Sequence, residues 1–149
     1  LSTAIIAADQ ITKYAIANYL QYGENIEITP FFSIILTYNS GAAFSMLSNA
    51  GGWQRIFLSS VSIIAVVFIL IWMLIDIKNK RTIWGLSFIL GGASGNLIDR
   101  INTGQVTDFI LFGYKNWYFP AFNIADTFIS LGAVILIINL YFQKNNLTK

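Results

Sequence analysis

The chain has 149 residues, of which 56% are hydrophobic and only 11% charged, with a formal net charge of +2 and a mean hydropathy of +0.64. A charged share so far below the quarter typical of soluble domains does not suit a water-soluble globule. Without cysteine or histidine the chain can hold no disulfide, thiol nucleophile, lipid-bearing cysteine of its own, serine–histidine–aspartate triad, or histidine- or thiolate-ligated metal.

Any catalysis must then come from hydroxyls, nine Lys/Arg residues and seven carboxylates, namely Asp9, Glu24, Glu27, Asp76, Asp99, Asp108 and Asp126. The chain begins at Leu1 rather than methionine, which leaves any start or signal segment upstream unread. Four apolar runs, at about residues 1–20, 54–75, 82–98 and 123–142, are long enough to predict spanning helices.

The first run contains "DQITK", which sets Asp9 and Lys13 four residues apart on one helical face. That spacing permits an ion pair that lowers the cost of taking either charge into lipid. A desolvated lysine could serve as the base of a Ser/Lys hydrolase. An acid one turn away, however, would hold Lys13 protonated.

Residues 21–53 include "NIEITPFFSIILTYNSGAAFSML", where Ile26, Ile28 and the β-branched residues around Pro30 and Gly41 predict short strands and turns. They would form a small extended platform against the outer membrane face. Within it, Asn39 offers amide donors and an acceptor beside small residues that permit close backbone approach. Taken alone, "NSGAAFSML" reads as a turn.

After the second run, "DIKNKR" carries Lys78, Lys80 and Arg81, which places this loop in the cytoplasm by the positive-inside rule. Both termini then lie inside, in agreement with Lys144 and Lys149, and residues 21–53 and 99–122 face outward. The third run ends "GLSFILGGASGNLIDR". Gly85, Gly92, Asn96 and Asp99 share one helical face with Arg100 beside it, and Gly91 with Gly95 forms a small-xxx-small pair. Helix packing accounts for the glycines and a snorkelling anchor would account for Arg100 alone. Asn96, Asp99 and Arg100 clustered at one helix end point instead to a site.

In residues 99–122, Trp117, Tyr118 and Phe119 before Pro120 have the aromatic composition of a headgroup interface, and "GQVTDFI" carries Asp108. The fourth run opens "FNIADTF", with Asp126 in the first helical turn and Asn123 placed to cap it. A helix-dipole partner explains Asp126 singly, and a solvated loop carboxylate explains Asp108. Two acids at one depth, in a chain with so few, suggest an acid/base pair. No linker, repeat or low-complexity tract divides the chain, so residues 1–149 are expected to form one membrane domain.

"DQITK", "NSGAAFS", "GGASGNLIDR", "GQVTDFI" and "FNIADTFISLG", in this order and spacing, resemble the bacterial lipoprotein signal peptidases (signal peptidase II), which are intramembrane aspartic proteases. The resemblance covers Asp9 to Gly132. It implies a membrane all-α fold: a four-transmembrane-helix bundle with a small extracytoplasmic β-structured cradle and a short interfacial helix. The implied activity is endopeptidase cleavage of prolipoproteins before a diacylglyceryl-modified cysteine, at the outer face of the bacterial cytoplasmic (inner) membrane.

Carried over by motif, the resemblance puts the catalytic aspartates at Asp108 and Asp126 and the substrate-binding residues at Asn39, Asn96, Arg100 and Asn123. It gives Asp9, Lys13 and Asp99 structural or supporting roles. Diacylglyceryl-modified prolipoproteins and membrane lipids are the implied partners. Nucleic acid is not among them, no obligate protein partner is inferred, and neither a metal nor a cofactor is required.

Two rival readings use the same kinds of residue. An intramembrane protease of the glycine-x-glycine-aspartate kind lacks its motif here. A non-enzymatic polytopic channel or transporter subunit would more typically show inverted repeats or a polar stripe through the full bilayer.

Overall fold

The computed structural model describes residues 1–41, 51–115 and 117–147, with side chains described through residue 143. Its elements are α1 (Ser2–Tyr19), β1 (Asn25–Thr29), β2 (Phe32–Asn39), α2 (Trp53–Ile75), α3 (Lys80–Asn102), β3 (Val106–Tyr114), β4 (Trp117–Tyr118) and α4 (Ile124–Leu147). Helices α1, α2 and α4 all pack against α3.

Two glycine pairs on α3 admit two different helices. A methyl group on Gly91 or Gly95 would strike Ile5 or Asp9 of α1, whereas one on Gly85 or Gly92 would strike Leu136, Ala125 or Ile129 of α4. Close backbone approach is how helices gain van der Waals contact where lipid supplies no hydrophobic drive. The predicted small-residue pair thus receives α1.

Helix α2 buries only Gln54 and Ile69 within the protein and leaves Ile56, Ile64, Phe68 and Leu74 exposed. Such an apolar surface is unstable against water and suits hydrocarbon. Segments Trp53–Ile75 and Ile124–Gln143 have the length and mean hydropathy, 2.8 and 1.9, of membrane spans. Helices α1 and α3 occupy the other two runs, but polar residues on their buried faces lower their apolarity. Helix α3 also continues past the expected boundary at residue 98, to Asn102. There Arg55 of α2 donates Nη2 at 2.6 Å to Ile101 O, a carbonyl that the helix end leaves open, and Nε at 3.2 Å to Arg100 O, which also accepts the Gly104 N–H.

The extended platform is a four-stranded antiparallel sheet in the order β1-β2-β3-β4. It extends beyond the expected residues 21–53, since residues 99–122 supply β3 and β4. No short interfacial helix is present among the described residues, which exclude the "AAFSML" end of the glycine–alanine motif and Lys149. Strand β2 carries a bulge between Ile34 and Thr37, after which Thr37 opposes Asp108 and Asn39 opposes Val106. Beyond β4 the chain folds back on β3, with Phe109 and Ile110 both donating to Phe122 O at 3.0 and 2.8 Å. That return delivers Asn123 beside Asp108.

Candidate active site

Asn123 caps α4 reciprocally. Its Oδ1 accepts the Asp126 N–H at 2.9 Å, while Asp126 Oδ2 accepts the Asn123 N–H at 3.3 Å, the two-way pattern of a capping box. The same Asn123, fully buried, donates Nδ2 to Asp108 Oδ1 at 2.7 Å. One side chain therefore contacts both aspartates, one from a strand and one from a helix.

Asp108 is buried on β3, and its carboxyl is raised to about 7. Burial is the main cause and the nearby charge of Asp126 adds to it, while hydrogen bonds from Asn123 and Asn39 and the charge of Lys13 act in the opposite sense. Asp126 accepts Asn96 Nδ2 on Oδ1 at 2.7 Å. Asn96, Asp108 and Asp126 line one cavity of about 600 Å³ with Asn39 and Arg100. The rest of its wall is mostly apolar, with Val106, Phe119, Pro120, Phe122, Ile129 and Leu131 alongside the hydroxyls of Thr127 and Ser130. A polar end and a long apolar remainder suit a ligand that is part peptide and part hydrocarbon.

Arg100 donates Nη2 to Gly41 O at 3.3 Å, which ties the end of α3 to the turn after β2. Asn39 borders the cavity, and its Oδ1 accepts the Gly41 N–H at 2.9 Å. All four residues expected to bind substrate thus stand with the two aspartates. Asp9, Lys13 and Asp99 lie behind them. Lys13 Nζ reaches Asp9 Oδ2 at 2.8 Å, Asp99 Oδ2 at 2.9 Å and Asn96 Oδ1 at 2.9 Å, which engages all three of its N–H groups. None of these contacts is a serine hydroxyl, the partner that serine–lysine chemistry requires.

Two contacts carry this buried group to the aspartates. Asp99 Oδ2 accepts the Thr107 N–H at 3.1 Å, and Asp9 Oδ1 accepts the Ala125 N–H at 2.9 Å. Thr107 precedes Asp108 and Ala125 precedes Asp126.

Sequence reasoning passed over Gln10, which donates Nε2 to Asp99 Oδ1 at 2.8 Å and to Gly95 O at 3.1 Å. Its place inside "DQITK" was the available signal. It also passed over Arg55, for which no local pattern exists.

The family model described as Signal peptidase (SPase) II matches residues 1–142. The chain belongs to the signal peptidase II family. It is 48% identical over 142 residues to a lipoprotein signal peptidase of Cellvibrio japonicus, covering 95% of this chain and 84% of that one. To a lipoprotein signal peptidase of Acinetobacter baumannii it is 43% identical over 151 residues, covering 100% and 85%. Two solved structures, both described as bacterial membrane enzymes determined in meso, share the fold. One has a TM-score of 0.88 at 33% identity, covering 97% of this chain and 87% of its own. The other has a TM-score of 0.80 at 35% identity, covering 93% and 88%. Signal peptidase II membership makes the chain a peptidase, and the cavity holding Asp108 and Asp126 is its candidate active site.

Proposed function

We propose that the chain is an intramembrane aspartic endopeptidase that removes signal peptides from prolipoproteins, cleaving before the diacylglyceryl-modified cysteine, with Asp108 and Asp126 as its catalytic pair. The observation that carries this reading is the shared contact of Asn123 with both carboxylates at the polar end of a largely apolar cavity. Two neighbouring carboxyls hold one proton between them more cheaply than none. The ionised member takes a proton from water, and the oxygen attacks the scissile carbonyl. The protonated member donates to the carbonyl oxygen. Collapse of the tetrahedral intermediate then breaks the C–N bond and expels the cysteine amine, which carries away the proton taken from water. A hydroxyl of the intermediate meanwhile returns its proton to the carboxylate that acted as acid.

Asn39, Asn96 and Arg100 form the polar lining for peptide and glyceryl oxygens, Asn123 behind them holds the two aspartates, and the apolar wall takes hydrocarbon. The whole chain acts as one domain of four spans in the bacterial inner membrane, with both termini cytoplasmic and the site at the outer face. In support, α3 extends about 34 Å, enough to cross the hydrocarbon core, from the basic loop at one end to Arg100 at the other.

The test is cleavage of a diacylglyceryl-modified precursor by purified protein, with the unmodified precursor alongside. Asp108→Asn and Asp126→Asn should each reduce turnover by at least about 100-fold, and the double variant should lose little more, because groups acting together are non-additive. Substantial turnover by either single variant, or equal cleavage of the unmodified precursor, would overturn the assignment.

A further inference from the structure

Asn96 stands between Lys13 and Asp126. Its Oδ1 accepts Lys13 Nζ at 2.9 Å, and its Nδ2 donates to Asp126 Oδ1 at 2.7 Å. An ammonium group has only hydrogens to offer, so the amide oxygen must face Lys13 and the amide nitrogen is turned toward Asp126. Lys13 is itself held, 4% exposed, between the carboxylates of Asp9 and Asp99.

An N–H donated to a carboxylate oxygen favours the ionised form, and a neighbouring ammonium polarises that N–H further. Asp126 also accepts a main-chain N–H and sits in the first turn of α4, where the helix dipole favours negative charge. Asp108 has hydrogen bonds from Asn123 and Asn39, but it lies on a strand with no helix terminus and is 3% exposed. The charged groups facing Asp126 are Lys13 and Asp9 from α1, Arg100 from α3 and Asp108 from β3, with Asp99 of α3 behind them beside Lys13 and Arg100. Two cations among three other carboxylates leave room for one shared proton, and the donors around Asp126 decide where it goes.

Resting on the dyad reading above, we infer that Lys13 is a positioning residue: acting through the Asn96 amide, it keeps Asp126 as the ionised base and leaves the shared proton on Asp108. Water is then activated on the α4 side of the cavity, and the scissile carbonyl oxygen is protonated from the β3 side.

The chain contains only five aspartates, Asp9, Asp76, Asp99, Asp108 and Asp126, so carbon-13 labelling of their carboxyl carbons gives a small set of signals assignable from single Asp→Asn variants. At pH 6 the parent protein in detergent should show an ionised Asp126 and a protonated Asp108. Asn96→Leu, which removes the relay and keeps approximate volume, should move the proton onto Asp126. Lys13→Met combined with Asp99→Asn, which avoids stranding both buried carboxylates and keeps the charge of Asp9, should do the same. Where these variants retain turnover, the acid limb of the pH–rate profile should rise by about one pH unit, a change that a purely structural role would not produce. A parent protonated on Asp126, or relay variants that leave the proton on Asp108, would overturn the inference. Should the double variant fail to fold, the parent and Asn96→Leu spectra decide. The spectra require no turnover, so loss of the peptidase reading and loss of this inference are separate results.

Discussion

Asp9 and Ala125, 116 residues apart in the chain, meet through one hydrogen bond, in which the Ala125 main-chain N–H donates to Asp9 Oδ1 at 2.9 Å. The other oxygen of Asp9 holds Lys13 at 2.8 Å, so the carboxylate joins the start of α4 to the buried ion pair of α1. Removing it leaves Lys13 with one carboxylate and a buried N–H without its acceptor. Asp9→Ala should therefore cost about 3–5 kcal/mol of stability, read as a lowered thermal midpoint in detergent. An unchanged midpoint would show that the pair carries no structural weight.

Gly92 tests the packing of α3 on α4. An added methyl group would meet the Ala125 carbonyl oxygen and Ile129, both at the end of α4 that carries Asp126. Gly92→Ala should cost about 1–3 kcal/mol and lower precursor cleavage as well, because the helices must separate where the aspartate is mounted. Unaltered melting and turnover would mean that the helices accommodate the group.

The elevated carboxyl of Asp108 makes a pH prediction whose sign is definite. Its folded value of about 7 lies above the unfolded value of 3.8, so folding favours the protonated form. Its contribution to stability is fully present below about pH 4. It is lost progressively as pH rises to about 7, then stays constant. Asp108→Asn, which cannot ionise, should match the parent near pH 4 and exceed it by a few kcal/mol above pH 7. Turnover by the parent should fall on the same basic limb, as the acid loses its proton. Denaturant unfolding at several pH values checks the first point, and a pH–rate profile the second.

Arg100 presents a planar fork of donors to the polar end of the cavity and contacts Gly41 O. Lysine would keep the charge and lose that geometry. Arg100→Lys should leave the fold intact and reduce processing of lipidated precursor by about tenfold, the equivalent of roughly one hydrogen bond to a charged group. Processing equal to the parent would reduce Arg100 to an interfacial anchor.

Membrane orientation is testable because the chain lacks cysteine. Lys78 and Lys115 are both exposed. In spheroplasts, an impermeant thiol reagent should label Lys115→Cys, and label Lys78→Cys only after permeabilisation. The opposite pattern would invert the orientation.

What was legible in the sequence was whatever depends on neighbours a turn or a strand apart. Composition and the length of four apolar runs located the four helices. The four-residue interval of Asp9 and Lys13 foretold their ion pair, and the position of Asn123 foretold its cap on α4. The motifs carried the family, and with it the residues that the fold gathers at one cavity.

Long-range register was decided only by the tertiary structure. The strands within residues 99–122 are not legible locally, because β3 acquires its pairing from β2 and from the returning Phe122. The apparent uniformity of the glycines on α3 concealed a division of labour, with one pair receiving α1 and the other α4. A buried carboxylate in a sequence could answer to many partners. That Asp9 meets Ala125, that Asp99 meets Thr107, and that Lys13 turns the Asn96 amide toward Asp126 follow from how four separate elements pack. Hydrogen bonds have short range and fixed direction, so only folded geometry could assign these partners.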